Sequence, residues 1–206
     1  AWAGLRAAFG DRSTRGFYLG NFFCQDALNT VLICVSDFVI NGLGFSGGER
    51  TTLLLAANLL ALPAGLALGV ACDRRGARGP YLLSAVALLL AVLVPQVPMP
   101  RAAQVLAIAL PGAIGMGGIQ LAGRKWLVDL SDGRPVEGPF GVYGLTNKFS
   151  ILGVVLYSAV SDAFGTPRAG VFVPAAMLVV GIALLRRMPR IRADSGSRPL
   201  RGNDMR

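Results

Sequence analysis

The sequence predicts an all-α polytopic membrane protein with six transmembrane helices. Three uncharged runs of 22 residues, 51–72, 79–100 and 102–123, are the strongest indication. At a rise of about 1.5 Å per residue, each run forms a helix of roughly 33 Å, which spans a hydrocarbon core of about 30 Å. Hydrophobic residues also make up 53% of the chain, which is high for a soluble domain.

Three further segments extend this pattern to six. Segment 16–36 is apolar apart from Asp26, segment 140–161 is apolar apart from Lys148, and segment 169–185 carries no charge. Backbone groups in lipid must be satisfied within each segment, and unbroken runs of Ala, Leu and Gly are unlike the alternating strands of a barrel. We therefore expect six transmembrane helices.

The positions of the cationic residues predict the orientation and the domain limits. Of the 20 Lys and Arg residues, only Arg50, Arg101 and Arg168 fall outside when the N-terminus is placed inside, and the other 17 fall inside. This positive-inside bias places both termini in the cytoplasm, with a bacterial plasma membrane as the expected location. The expected parts are a cytoplasmic juxtamembrane segment (1–16), a six-helix transmembrane domain (17–187) and a disordered basic cytoplasmic tail (188–206).

Several classes of function are not expected. The net charge of +9 fits topology and anionic lipid headgroups, and no basic stretch is interleaved with the stacking aromatics of a nucleic-acid site. Cys24, Cys34 and Cys72 have no metal-binding or redox spacing and the chain has no His, so we expect packing cysteines and no metal or cofactor. Without a Ser–His or Cys–His pair we do not expect an enzyme, although an intramembrane hydrolase is a rival class.

A short loop between the second and third predicted helices carries the most specific motif. Residues 69–78 have the sequence GVACDRRGAR, which gives the pattern G-x-x-x-D-R-x-G-x-R. The first glycine would let two helices approach closely, the second would supply a positive φ in a short turn, and the Asp would meet a neighbouring helix N-terminus. An ordinary positive-inside loop is the alternative. The predicted gating-loop residues are Gly69, Asp73, Arg74, Gly76 and Arg78.

This pattern resembles the inner-loop signature of the major facilitator superfamily. Residues 17–30, 117–120 and 140–149 also look like the seventh, tenth and eleventh helices of vacuole-effluxer-like members. That group usually has Tyr-Asn-Asp-Gly in the first of these segments, whereas Cys24-Gln25-Asp26-Ala27 keeps only the Asp. The resemblance implies the C-terminal six helices of a twelve-helix transporter or effluxer. The other half would lie in the same full-length chain or in a separate subunit, and amino acids or similar small metabolites would be the substrates.

Two predicted helices carry polar stripes. At 100° per residue, polar side chains lie within an arc of about 80° on the first helix and about 120° on the fifth. Such stripes line a water-filled cavity or form interhelical hydrogen bonds. The third run, 79–100, has no stripe, so we expect it to be peripheral and lipid-facing. Glycines of two runs are expected at close-packing or bending sites: Gly65 and Gly69 of the second, and Gly112, Gly115, Gly117 and Gly118 of the fourth. The candidate substrate-binding residues are Asn21, Gln25, Asp26, Asn29, Tyr143 and Asn147.

Asp26 and Lys148 are the candidate proton-coupling residues. A carboxylate near the middle of the membrane is costly unless it is protonated, paired or hydrated. Asp26 would therefore carry a proton or hold a substrate amine, or else it would cap a broken helix as a structural group. Lys148 would snorkel to the inner surface, or bind an anionic group or Asp26.

Together these features predict a secondary active transporter. It would move a small metabolite by alternating access, with a proton as the candidate coupling ion. Its expected partners are the small-molecule substrate, the lipid bilayer and the other six-helix half, with no nucleic acid. A small membrane channel and a non-transporting membrane assembly subunit are the alternatives.

Overall fold

The computed structural model describes residues 12–131, 141, 143–144 and 151–188, and almost all of them are helical. No β-strand occurs in these residues. The helices are α1 (Arg12–Asp37), α2 (Gly47–Arg75), α3 (Arg78–Leu93), α4 (Arg101–Ser131), α5 (Leu152–Phe164), α6 (Pro167–Gly170) and α7 (Phe172–Arg186). Helix α1 continues into a π-helical turn, Phe38–Gly42, and α3 continues into a 3-10 turn, Val94–Gln96.

Five helical stretches are long and apolar enough to cross a membrane, so the chain has the all-α, multi-pass character of a membrane protein. Helix α5 is a shorter apolar helix of 13 residues. The fifth predicted span, 140–161, lies only partly within the described residues, so six spans remain a prediction. The five stretches are Thr14–Gly42, Gly47–Arg75, Arg78–Gln96, Arg101–Leu130 and Pro167–Arg186.

Glycines bring two helix pairs into close contact. A Cβ on Gly115 of α4 would lie 2.6 Å from the Cβ of Leu88 on α3. A Cβ on Gly181 of α7 would lie 2.9 Å from the carbonyl oxygen of Gly20 on α1. Gly118 likewise faces Ser84 with no room for a methyl group. The predicted close packing at Gly115 and Gly118 is therefore confirmed, and α1–α7 forms a second pair of the same kind.

The expectation that the third helix is peripheral is wrong. Half of the apolar part of α3 is buried, with Tyr81 fully buried and Leu88 1% exposed. Among the five long stretches, α2 is the least buried, with 11% of its apolar part inside the bundle. The error has a physical reason, since an apolar face is as compatible with protein neighbours as with lipid. The missing polar stripe therefore did not indicate which medium the helix faces.

The end of the bundle where α1 finishes is tied by two arginines. Arg101 of α4 donates hydrogen bonds to the carbonyl oxygens of Leu43 (2.8 Å) and Gly44 (2.9 Å). Arg168 of α6 donates to the carbonyl oxygen of Gly42 at 2.7 Å. These carbonyls lie at the end of the helix, where no following helical turn supplies backbone N–H donors to them. Two of the three predicted outer arginines therefore serve as structural caps.

Candidate functional site

Polar side chains of α1 are buried inside the bundle and form the core of the candidate site. Asn21, Asp26 and Thr30 are fully buried and Gln25 is 2% exposed, whereas Asn29 is half-buried. Apolar side chains surround them on α3, α4 and α7. The predicted stripe on the first helix therefore faces other helices and not lipid. Together with two tyrosines, these residues form what we call the buried polar cluster: Asn21, Gln25, Asp26, Thr30, Tyr81 and Tyr143.

Asn21 marks the part of the cluster nearer the start of α1. The hydroxyl of Tyr81 on α3 donates a 2.9 Å hydrogen bond to Oδ1 of Asn21. Tyr143 is 5% exposed. A Cβ on Gly123 of α4 would lie 2.9 Å from the Tyr143 hydroxyl and 3.4 Å from Oδ1 of Asn21, so both groups lie beside Gly123. The Nδ2 of Asn21 and the hydroxyl of Tyr143 are buried and have no hydrogen-bond partner among the described residues. Two predicted binding residues, Asn21 and Tyr143, are thus brought together.

Asp26 marks the part of the cluster nearer the middle of the apolar stretch Thr14–Gly42. Its Oδ2 accepts a 3.1 Å hydrogen bond from the backbone N–H of Gly153, the second residue of α5. Its backbone carbonyl accepts a 2.8 Å hydrogen bond from the hydroxyl of Thr30. The other carboxylate oxygen, Oδ1, is buried and has no partner within the described part of the chain. Free N–H groups and the helix dipole make a helix N-terminus favourable for an anion.

This geometry gives Asp26 two separate capacities. Oδ2 caps the start of α5, as the structural interpretation of the sequence anticipated. Oδ1 can accept a proton or a hydrogen bond, because no described residue donates to it.

The motif loop is anchored by its last arginine. The guanidinium of Arg78 donates to the backbone carbonyls of Leu185 (3.4 Å) and Arg186 (3.0 Å) at the end of α7. Gly76, between α2 and α3, has a φ of 77°, as the motif predicted, and this backbone conformation favours glycine. The loop therefore connects the second, third and last helices at one end of the bundle. Arg74 is exposed near the same end.

Two predictions for the loop are wrong within the described residues. A Cβ on Gly69 would have nothing within 4 Å, so Gly69 does not mediate a close helix contact here. Asp73 lies 3.8 Å from Nζ of Lys125, near the end of α4, and its side chain is 75% exposed. Its partner is therefore a lysine and not a helix N-terminus. Within the described residues, Gly69 therefore has no close helix partner and Asp73 has no helix N-terminus beside it.

The remaining predicted residues are only partly accounted for. Asn147 and Lys148 lie outside the described residues, so their predicted roles stay predictions. A cavity of about 160 Å³ near the other end of the bundle is lined by Thr30 but not by Asn21, Gln25 or Asp26. Of the residues that were predicted to bind substrate, Asn21, Gln25, Asp26 and Tyr143 are buried within the bundle and do not line this cavity.

Sequence reasoning missed several partners of the cluster. The role of Tyr81 was not predicted, because a single Tyr near a helix end gives no sign of a buried hydrogen bond. Gly153 contributes only a backbone N–H, which no side-chain pattern reveals. Outside the cluster, Asp37 accepts hydrogen bonds from Asn41 (2.8 Å) and the Tyr157 hydroxyl (3.0 Å).

The three cysteines are free and buried, which fits their predicted packing role. No protein-family model, curated protein or solved structure matches the chain. The buried polar cluster and the motif loop are therefore the features of the chain that bear on its function.

Proposed function

We propose that the chain is one six-helix half of a secondary active transporter of the major facilitator type. Its helices form two inverted three-helix repeats, both termini lie in the cytoplasm, and the membrane is the plasma membrane of a bacterium. The transporter moves a small metabolite, with amino acids as the first substrate class to examine. A proton is the proposed coupling ion.

The fully buried Asp26 carboxylate is the observation that carries this proposal. A charged group at this depth has a large energetic cost, and such groups in membrane proteins usually belong to substrate or ion pathways. One oxygen of Asp26 is engaged by Gly153 at the start of α5 and the other has no partner among the described residues. The arrangement is similar to discontinuous transporter helices, whose half-helix ends point at the binding site.

The proposed cycle uses the contact between α1 and α5 as its moving part. In the packed arrangement, Gly153 donates to Asp26 and the polar side chains contact one another. When the other half rocks against this one, α1 and α5 separate, so Asp26, Asn21 and Tyr143 are exposed to substrate and water. Protonation of Asp26 weakens its attraction to the start of α5, because the helix dipole favours the anion. The proton therefore alters the balance between the two arrangements.

The motif loop is proposed to restrain this motion. Arg78 holds the loop to the end of α7 through two carbonyl hydrogen bonds. Breaking and reforming these bonds would accompany the movement of α3 relative to α7.

The experiment is a counterflow assay on the complete transporter in proteoliposomes. Vesicles preloaded with an unlabelled amino acid should transiently accumulate the labelled one, and the initial rate should saturate with external concentration. Candidate amino acids and related metabolites are tested in turn. A channel would instead give uncoupled conductance in planar bilayers with no counterflow, which would contradict the proposal.

A further inference from the structure

A cavity of about 160 Å³ lies between the helices near the end of the bundle that carries Arg50, Arg101 and Arg168. Its walls are the second half of α1, the first three turns of α2 and facing parts of α3 and α4, together with Tyr157 of α5 and with Val171 and Pro174 at the start of α7. The cavity is separate from the buried polar cluster, of which only Thr30 contributes to its lining. An engineered protein cavity of about 150 Å³ holds benzene, so this volume is enough for roughly six carbon atoms.

The lining is almost entirely apolar. Leu28, Val31 and Leu54 are typical of its walls. The two hydroxyl groups in the lining are already engaged, because Thr30 donates to the backbone carbonyl of Asp26 and Tyr157 donates to Asp37. Asn58, the remaining lining residue with a polar side chain other than Cys34, is exposed at the edge and donates to the backbone carbonyl of Leu54. An apolar interior of this kind does not hold ordered water, so it suits an apolar occupant.

The cavity opens sideways between α1 and α2. These two helices make no extensive contact with each other, and the lining residues Leu32 and Asn58 are exposed at the gap. Leu54 and Asn58 lie seven and eleven residues after the first residue of α2, so the gap is about 10 to 17 Å below that helix end. This is the depth of lipid acyl chains in a membrane with a hydrocarbon core of about 30 Å.

Arg50 lies directly above the opening. It precedes Leu53 and Leu54 by three and four residues, so it shares their helix face one turn closer to the end of α2. Arg101 and Arg168 are engaged with backbone carbonyls, whereas the Arg50 guanidinium forms no ion pair or hydrogen bond with any residue that the structure describes. Its Nε is buried without a partner. The Arg50 guanidinium therefore has no anionic partner among the described residues, and it lies immediately above an apolar cavity.

We propose that this cavity binds one acyl chain of a phospholipid whose phosphate pairs with Arg50. The occupant belongs to the leaflet on the Arg50 side, which is the outer leaflet in the predicted topology. A chain entering from lipid gains no hydrophobic free energy, since both surroundings are apolar. Selectivity therefore comes from filling the void and from the charge-assisted contact with phosphate. A protein helix over the same gap would bury Arg50 with no anion to compensate it.

Photo-crosslinking in nanodiscs tests this directly. The complete protein is reconstituted with phosphatidylglycerol that carries a diazirine near the middle of one acyl chain, and labelled peptides are quantified by mass spectrometry. Labelling should concentrate in segments 31–35 and 54–58 relative to segment 176–180, which contains exposed residues of α7. Equal labelling of all three segments would contradict the proposal, as would the absence of label from the first two in the complete protein.

Matched variants separate the cavity from the phosphate contact. Ala57→Phe fills the cavity and should abolish the preferential labelling, whereas Ala176→Phe on the exposed face of α7 should preserve it. Arg50→Gln should lower it by about tenfold, as expected for the loss of one charge-assisted contact, while Arg50→Lys retains most of it. Diacylglycerol with the same photoreactive chain should label as weakly as Arg50→Gln with phospholipid. If diacylglycerol labels as strongly as phosphatidylglycerol, the phosphate contact is refuted.

Discussion

Asp26 and Gly153 join the first helix to the start of α5, with Oδ2 of Asp26 accepting a 3.1 Å hydrogen bond from the backbone N–H of Gly153. The contact places a carboxylate against a helix N-terminus inside an apolar bundle. It also depends on Gly153 being a glycine, because a Cβ there would meet the hydroxyl of Thr30 and lie 3.3 Å from Oδ1 of Asp26.

The first prediction concerns the size of residue 153. Gly153→Ala should lower the free energy of unfolding by about 1–3 kcal/mol, the usual cost of an overpacked core position. Thermal unfolding of the purified protein in detergent measures this as a lower Tm. Gly144→Ala is the matched control, since no described residue lies within 4 Å of a Cβ on Gly144. Equal Tm values for the two variants would mean that the close contact at Gly153 is absent.

The second prediction concerns the hydrogen bond between Tyr81 and Asn21. Tyr81→Phe leaves a fully buried amide oxygen without its donor, which should cost about 1–3 kcal/mol of stability. Tyr157→Phe removes the comparable bond to Asp37. It should cost less, because Asp37 is half-buried and near the end of the bundle, where water can replace the lost donor. Chemical unfolding curves of the two variants give the comparison, and a larger loss for Tyr157→Phe would refute this ranking.

The third prediction separates the motif arginines. Arg78→Gln loses the charge-assisted bonds to the end of α7 and should destabilise the protein by about 1 kcal/mol, since the bonds are partly exposed. Arg75→Gln removes the same charge from an exposed position in the same loop and should leave stability within about 0.5 kcal/mol of wild type. Limited proteolysis after α7 should also accelerate in Arg78→Gln alone. Matching stability and cleavage rates in the two variants would exclude an anchoring role for Arg78.

The fourth prediction concerns orientation. In a variant that lacks the three native cysteines, Gly48→Cys should react with a membrane-impermeant maleimide on intact cells, because residue 48 is exposed at the Arg50 end. Arg75→Cys should react only after permeabilisation. The reason is the 17-to-3 distribution of cationic residues, which favours the cytoplasm for the arginine-rich end. Labelling of residue 75 from outside would reverse the proposed topology.

Five of the six predicted spans are long apolar helices, because length and lack of charge follow directly from the bilayer. The sequence also predicted a polar stripe on the first helix that avoids lipid, and its members Asn21 and Gln25 are buried while Asn29 is half-buried. It did not predict that α2 is peripheral and α3 central. The difference arises from close fits such as Gly118 against Ser84, and apolar patterning carries no information on which helix is the neighbour.

The candidate site shows the same limit at the level of single atoms. Asp26 was identifiable because a lone carboxylate in an apolar segment is unusual. Its partner was not, because the donor is a backbone N–H that any residue type supplies. Gly69 and Asp73 match a motif whose physical meaning requires neighbours, but no described residue approaches a Cβ on Gly69, and Asp73 is exposed.

Proton-driven uptake by the complete transporter carrying Asp26→Asn tests the central claim most directly. Asn retains an oxygen that can accept the hydrogen bond from Gly153 but cannot carry the coupling proton. Accumulation driven by an imposed pH gradient should therefore be lost in Asp26→Asn proteoliposomes while substrate exchange continues. Asp37→Asn, which removes a carboxylate near the end of the bundle, should retain both activities. Wild-type accumulation and exchange in Asp26→Asn would contradict the account and leave Asp26 as a structural cap of α5.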